Sequence, residues 1–131
     1  MATVTAAITL TSAVGDLLTD ALSLSDSTTV TASHTTGLAR KKITATAVHA
    51  TAVVLYTADD FAAGPILYIK NTHGTASEYI WVYEDTNDRV ILKMGGGQWA
   101  LMPLKGDTTM KAYAPSGNDP VVEFMVFGTD Q

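Results

Sequence analysis

The carboxylates that would have to supply a hydrolytic pair in this sequence are Asp59, Asp60, Glu78, Glu84, Asp85 and Glu123, and each falls in a loop or near a strand end. Hydrolysis by paired carboxylates needs one of the two held at a raised pKa, and nothing local singles out such a residue. His34, His49 and His73 are not spaced as His-x-His or His-x-x-x-His, so a metal site would need distant loops to converge. The acidic run Glu84-Asp85-Thr86-Asn87-Asp88 lacks the central Gly and late Glu of a calcium loop and reads as a hairpin turn. Gly95-Gly96-Gly97 leads into Gln98-Trp99 rather than Lys-Ser/Thr, so it reads as turn glycines, not a phosphate cradle. Ser and Thr are abundant, yet no Gly-x-Ser-x-Gly elbow is present. The expectation is a protein that is not an enzyme and uses neither cofactor nor metal. Trp81 and Trp99, with Tyr68, Tyr79, Tyr83 and Tyr113, form a candidate aromatic patch for stacking sugars. Their alternation within strands argues more for core or interface packing.

The elements that would position these residues are strands. In the second half they run Ile66 to Lys70, Tyr79 to Tyr83, Arg89 to Lys93, Trp99 to Met102, Thr109 to Tyr113 and Val121 to Phe127. Gly, Asn, Asp and Pro clusters separate them. That spacing predicts an all-β fold, an antiparallel, jelly-roll-like β-sandwich. Several of these strands are apolar on both faces, which predicts cover on both sides. Residues 2–11 alternate, with Val4, Ile8 and Leu10 on one face and threonines on the other, as in a first strand or an extended arm (1–12). Between 12 and 22, Val14, Leu17, Leu18, Ala21 and Leu22 fall at helical spacing, so one short helix or an irregular bridge is expected there. Residues 22–33 read as a strand with a polar kink, 34–37 as a turn, and 42–48 and 50–56 as two further strands.

At 131 residues the chain reads as one domain, 1–131. With no Cys, disulfides, thiolate metal sites and Cys nucleophiles are excluded. A charged fraction of 16% and a net charge of −5 disfavour nucleic-acid partners. The basic cluster Arg40-Lys41-Lys42 reads as a solvated strand entrance. No stretch reaches the roughly 18 apolar residues that span a bilayer, and residues 1–7 lack a basic signal-peptide n-region. The expectation is a protein made and used without export, with no membrane partner.

The order of strands and turns through Leu67-Tyr68-Ile69-Lys70-Asn71-Thr72, Ile80-Trp81-Val82-Tyr83, 89–104 with its Gly95-Gly96-Gly97-Gln98-Trp99, 109–114 and 121–126 resembles small β-sandwich virion proteins of tailed bacteriophages, both head decoration (cement) and minor tail or fibre-base proteins. The likeness covers roughly half the chain; the Ala/Thr-rich start departs from it. The resemblance implies a virion structural protein without an active site that docks on the major capsid protein, or on another virion protein, and self-associates. Under that reading Val4, Ile8, Leu10, Leu17, Leu18, Arg40 and Lys41 are the candidate interface. Tail, baseplate or fibre-junction proteins and carbohydrate-binding modules are the alternatives.

Overall fold

The computed structural model describes residues 2–15, 20–44, 52–62, 64–115, 117 and 119–130. Among them every regular element is a β-strand and every strand pairing is antiparallel. The chain divides into two compact units, 1–32 and 33–131, so the single span 1–131 holds a hairpin unit and a sandwich unit.

The first unit is a hairpin of β1 (Ala2–Ser12) and β2 (Leu22–Ala32), in unbroken register from Ala2 opposite Ala32 to Ser12 opposite Leu22. Residues 2–12 are therefore half of a ribbon, not a lone arm. The kink expected in 22–33 is absent, because pairing over eleven residues holds the polar Ser25-Asp26-Ser27 segment extended. β1 ends at Ser12, and a turn follows in which Gly15 has φ 85°. The helix expected at 12–22 is not formed by its described residues: Ser12 ends β1, Leu22 begins β2, and 13–15 and 20–21 are turn, bend or irregular, while 16–19, with Leu17 and Leu18, lie outside the described residues.

The second unit contains β3 (His34–Thr35), β4 (Ala39–Lys42), β5 (Val53–Tyr56), β6 (Ile66–Asn71), β7 (Ile80–Glu84), β8 (Arg89–Met94), β9 (Trp99–Pro103), β10 (Met110–Tyr113) and β11 (Val121–Gly128). The pairs β7–β8, β6–β9, β5–β10 and β4–β11 are nested about the turn at 85–88, so this unit is one long hairpin. Rolling that hairpin adds the pairs β6–β11 and β7–β10. The result is two sheets, β5-β10-β7-β8 and (β3, β4)-β11-β6-β9. This is the connectivity of an eight-stranded jelly roll, with β3 and β4 as two halves of one strand.

Residues 34–37, expected to be a turn, instead begin that broken strand. Its interruption lies at 36–38, where Gly37 takes φ 67° and the Thr36 hydroxyl accepts from the Val126 amide at 2.9 Å. Of the strand expected at 42–48, Lys42 ends β4 and 45–48 lie outside the described residues, as do 50–51 of the next.

The core forms where the two sheets face each other: Leu67, Ile69, Val122, Phe124 and Val126 from one, Ile80, Val82, Met110 and Ala112 from the other. Phe61 and Tyr56 meet edge-on in the same core, ring centroids 5.6 Å apart. One polar residue, Asn71, is buried within it. Its Nδ2 donates to the carbonyls of Glu78 (2.7 Å) and Met94 (3.3 Å), and its Oδ1 accepts from the His73 amide. Asn71 thereby ties β6 to the start of β7 and the end of β8. Gly95 and Gly96 serve the same junction. A Cβ on either would fall 2.2–2.6 Å from carbonyl oxygens of the 73–76 loop, so these glycines allow a close backbone approach and the chain itself fills the space.

Candidate functional site

Three surfaces gather the residues singled out from sequence. The first is the hairpin. Opposed residues of an antiparallel pair share a face, and neighbours alternate. One face therefore carries Val4, Ile8, Leu10, Leu22, Leu24 and Val30, interrupted by Thr28 opposite Ala6 and Asp26 opposite Ile8; the other carries Thr3, Thr5, Thr9 and Thr11 opposite Thr31, Thr29, Ser25 and Ser23. Ile8, Leu10 and Leu24 are 42%, 46% and 49% exposed. Asp26 is the single charge in the two strands. Val4, Ile8 and Leu10 thus stand together as the sequence placed them.

The second surface is the outer side of the five-stranded sheet. Arg40 and Glu123 are opposed in the β4–β11 register, and the guanidinium donates to Glu123 Oε2 at 2.6 Å through both Nε and an NH2 nitrogen. The Tyr68 hydroxyl donates to Glu123 Oε1 at 3.1 Å. These two hydrogen bonds, Arg40 first, hold the Glu123 carboxyl below its ordinary value. That is the opposite of what a general acid needs. The Arg40-Lys41-Lys42 cluster is largely matched within the chain: Lys42 lies 3.2 Å from Asp119, and Lys41 sits 5.8 Å from the Phe124 ring.

The third surface is the outer side of the four-stranded sheet. Because Ile80 and Val82 point into the core, Tyr79, Trp81 and Tyr83 point away from it. Trp81 and Tyr83 both meet Tyr113 of β10 edge-on, at 5.5 and 6.0 Å. The Lys93 ammonium lies over Tyr79 at 4.3 Å and over Trp81 at 5.5 Å. Tyr83 donates to Asp88, which pushes its phenol up to about 12. The Trp81 indole N–H is buried and finds no acceptor among the described residues. Trp99 is not part of this cluster. It sits on β9 at the edge of the other sheet, 56% exposed, so the two tryptophans form no common patch.

No family model, curated protein or solved structure matches this chain.

A groove of about 460 Å³ at the β8 and β9 edges is lined by Glu84, Asn87, Arg89, Ile91, Lys105 and Thr108. Glu84 Oε1 there already accepts from Asn87 and Thr108. Among the described residues no three His, Asp or Glu side chains converge as metal ligands. His73 accepts from the Thr75 amide, and the His34 ring meets Phe61 edge-on; His49 lies outside the described residues. Among these residues no helix is long and apolar enough to cross a membrane.

Reading the sequence missed two things. It did not find the second half of the apolar hairpin face, although Leu22, Leu24 and Val30 recur at even spacing and carried that signal. It also missed the Lys93 cover of the aromatics, which has no signal before the β7–β8 register is known.

Proposed function

We propose that the protein is a non-enzymatic structural component of a phage virion, a capsid decoration protein that docks on the major capsid protein lattice and stabilises the shell. The observation that carries this reading is the hairpin, a ribbon with one face of hydroxyls and one half-exposed, largely apolar face that only Asp26 and Thr28 of β2 interrupt. A two-stranded hairpin is marginal by itself in water, and an apolar face gains about 25 cal/mol per Å² when it is covered. A jelly-roll sandwich with its own core supplies a stiff body to carry such an element. The resemblance of the 65–127 strand order to small phage sandwich proteins supports the same reading.

The test is the copy number of this chain relative to the major shell protein in purified particles, by quantitative mass spectrometry. A ratio near one, or a simple fraction of it, is expected. A handful of copies would move the protein to the tail, baseplate or fibre junction. Absence from particles would sink the structural reading. Deleting residues 2–32 is expected to abolish co-sedimentation with shells. The thermal midpoint of the sandwich should then move by less than about 4 °C, the equivalent of roughly 1 kcal/mol or less.

The aromatic face favours a second reading, a carbohydrate-binding module. Tyr79 and Trp81 lie side by side on a sheet exterior, and the Trp81 N–H lacks an acceptor. A shift of Trp fluorescence on a glycan panel, lost in Trp81→Ala and retained in Trp99→Ala, would establish it.

A further inference from the structure

The strand edges of the two units differ in kind. In the sandwich each edge is blunted. β5 and β8 carry bulges, at Leu55 and Ile91, where the register skips a residue. β9 ends in Pro103, and the β3–β4 edge is broken at 36–38 and then runs Arg40-Lys41-Lys42. Bulges, proline, lysine and short lengths are the devices that stop a sheet edge from pairing with another chain. β1 has none of them. It is eleven residues long, without bulge, proline, glycine or charge, and its outer edge pairs with no strand among the described residues.

We infer that the β1 edge is completed by β1 of a second copy of this chain, paired antiparallel about a two-fold axis through Ala7. A two-fold contact requires that residue i meet j while j meets i. The sequence of β1 satisfies this from Thr3 to Thr11. Centred on Ala7, Thr3 meets Thr11, Thr5 meets Thr9, Val4 meets Leu10, and Ala6 meets Ile8. Threonine faces threonine on one side and apolar faces apolar on the other, so both faces of the hairpin continue unbroken into the partner copy. Cross-strand threonine pairs and β-branched pairs are favourable neighbours. The outer edge of β2 has a similar symmetry about Ser27, but it would bring Asp26 of the two copies diagonally together on one face. β1, with no charge, is the edge that self-association selects in a chain of net charge −5.

The pairing produces a four-stranded sheet in the order β2-β1-β1-β2, beyond the two strands that are marginal in water. It also doubles the largely apolar face, with Asp26 and Thr28 of each β2 kept to the outer strands of the four. Eleven residues at about 3.4 Å, and a ribbon roughly 10 Å wide, give about 370 Å² for one hairpin and about 740 Å² for two. A stable interface takes roughly 800 Å² per partner, so the paired hairpins offer a docking face that one hairpin does not. That last consequence rests on the docking reading above; the pairing itself does not.

The chain has no cysteine, so single substitutions report the contact cleanly. Purified full-length Ala7→Cys, in the absence of any shell, is expected to form a disulfide-linked dimer on mild oxidation, whereas Ser27→Cys remains uncrosslinked. Ala7→Lys and Ala7→Glu place like charges opposite one another on the hydroxyl face. Each should weaken the dimer by about fivefold in sedimentation or native mass spectrometry, and an equimolar mixture of the two should restore it. A monomer at all concentrations overturns the inference, as does crosslinking of Ser27→Cys in place of Ala7→Cys. Shell binding is read separately, by co-sedimentation, so failure of the pairing and failure of the docking reading are distinguishable.

Discussion

The hairpin and the sandwich are built from the same kind of alternating strand, yet they resolve it in opposite ways. In the sandwich the apolar face of each sheet meets the other, and Leu67, Ile69, Val82, Val122 and Val126 are fully buried. In the hairpin Ile8, Leu10 and Leu24 stay near half exposed. The sandwich blunts its edges with bulges, Pro103 and basic residues; the hairpin leaves β1 straight and uncharged. One unit buries its apolar rows between its own sheets, and the other leaves Ile8, Leu10 and Leu24 near half exposed. The lesson is that amphipathic alternation alone does not separate a core strand from one whose apolar row stays exposed. What surrounds the apolar face separates them.

That comparison can be broken most sharply in the core. Phe124→Ala is expected to cost the sandwich about 3–5 kcal/mol, whereas Leu10→Ala on the hairpin should cost it less than about 1 kcal/mol. Both tryptophans lie in the sandwich, so urea denaturation followed by their fluorescence reads this unit directly. Equal costs would mean that the hairpin is part of the sandwich core.

A smaller effect is expected at Asn71, the polar tie inside the jelly roll. Asn71→Ala leaves the buried Glu78 and Met94 carbonyls without their donor and should cost about 2–3 kcal/mol in the same assay. A cost below about 0.5 kcal/mol would show that the β6–β7–β8 junction holds without it.

The smallest effect concerns the outer face of the five-stranded sheet and is read through pH. Glu123 is held below its ordinary value of 4.5 by Arg40 and Tyr68, so the folded state binds the proton less readily than the unfolded one. Its contribution is therefore present above pH 4.5 and fades as the pH falls through the lowered folded value. The stability advantage of the native protein over Glu123→Gln should be greatest near neutrality and shrink under acid. An advantage that grows toward low pH would refute the pairing.

Much of the sandwich was legible because its strands announce themselves. Turn residues bracket each of β6 to β11, and the observed bounds fall within about a residue of the expected ones. The first half was less legible for a physical reason. Ser25-Asp26-Ser27 has the local composition of a kink and is straight only because β1 pairs across it. His34-Thr35 resembles a turn and becomes strand only because β11 lies beside it. At the candidate site, Val4, Ile8 and Leu10 were visible as one apolar row, while Arg40 gave no sign of Glu123, which lies eighty-three residues away.

The sequence by itself determined the class of the fold, the absence of thiol chemistry and the alternating character of β1, since these follow from residue types and their spacing at short range. Only the tertiary structure decided which strands pair, nested about the 85–88 turn, within the jelly-roll-like sandwich that the spacing predicts. It alone separated Trp81 from Trp99, paired Arg40 with Glu123, and left the hairpin's apolar face exposed. Register between distant strands and the cover over a face are set by packing across the whole chain, and local pattern does not encode them.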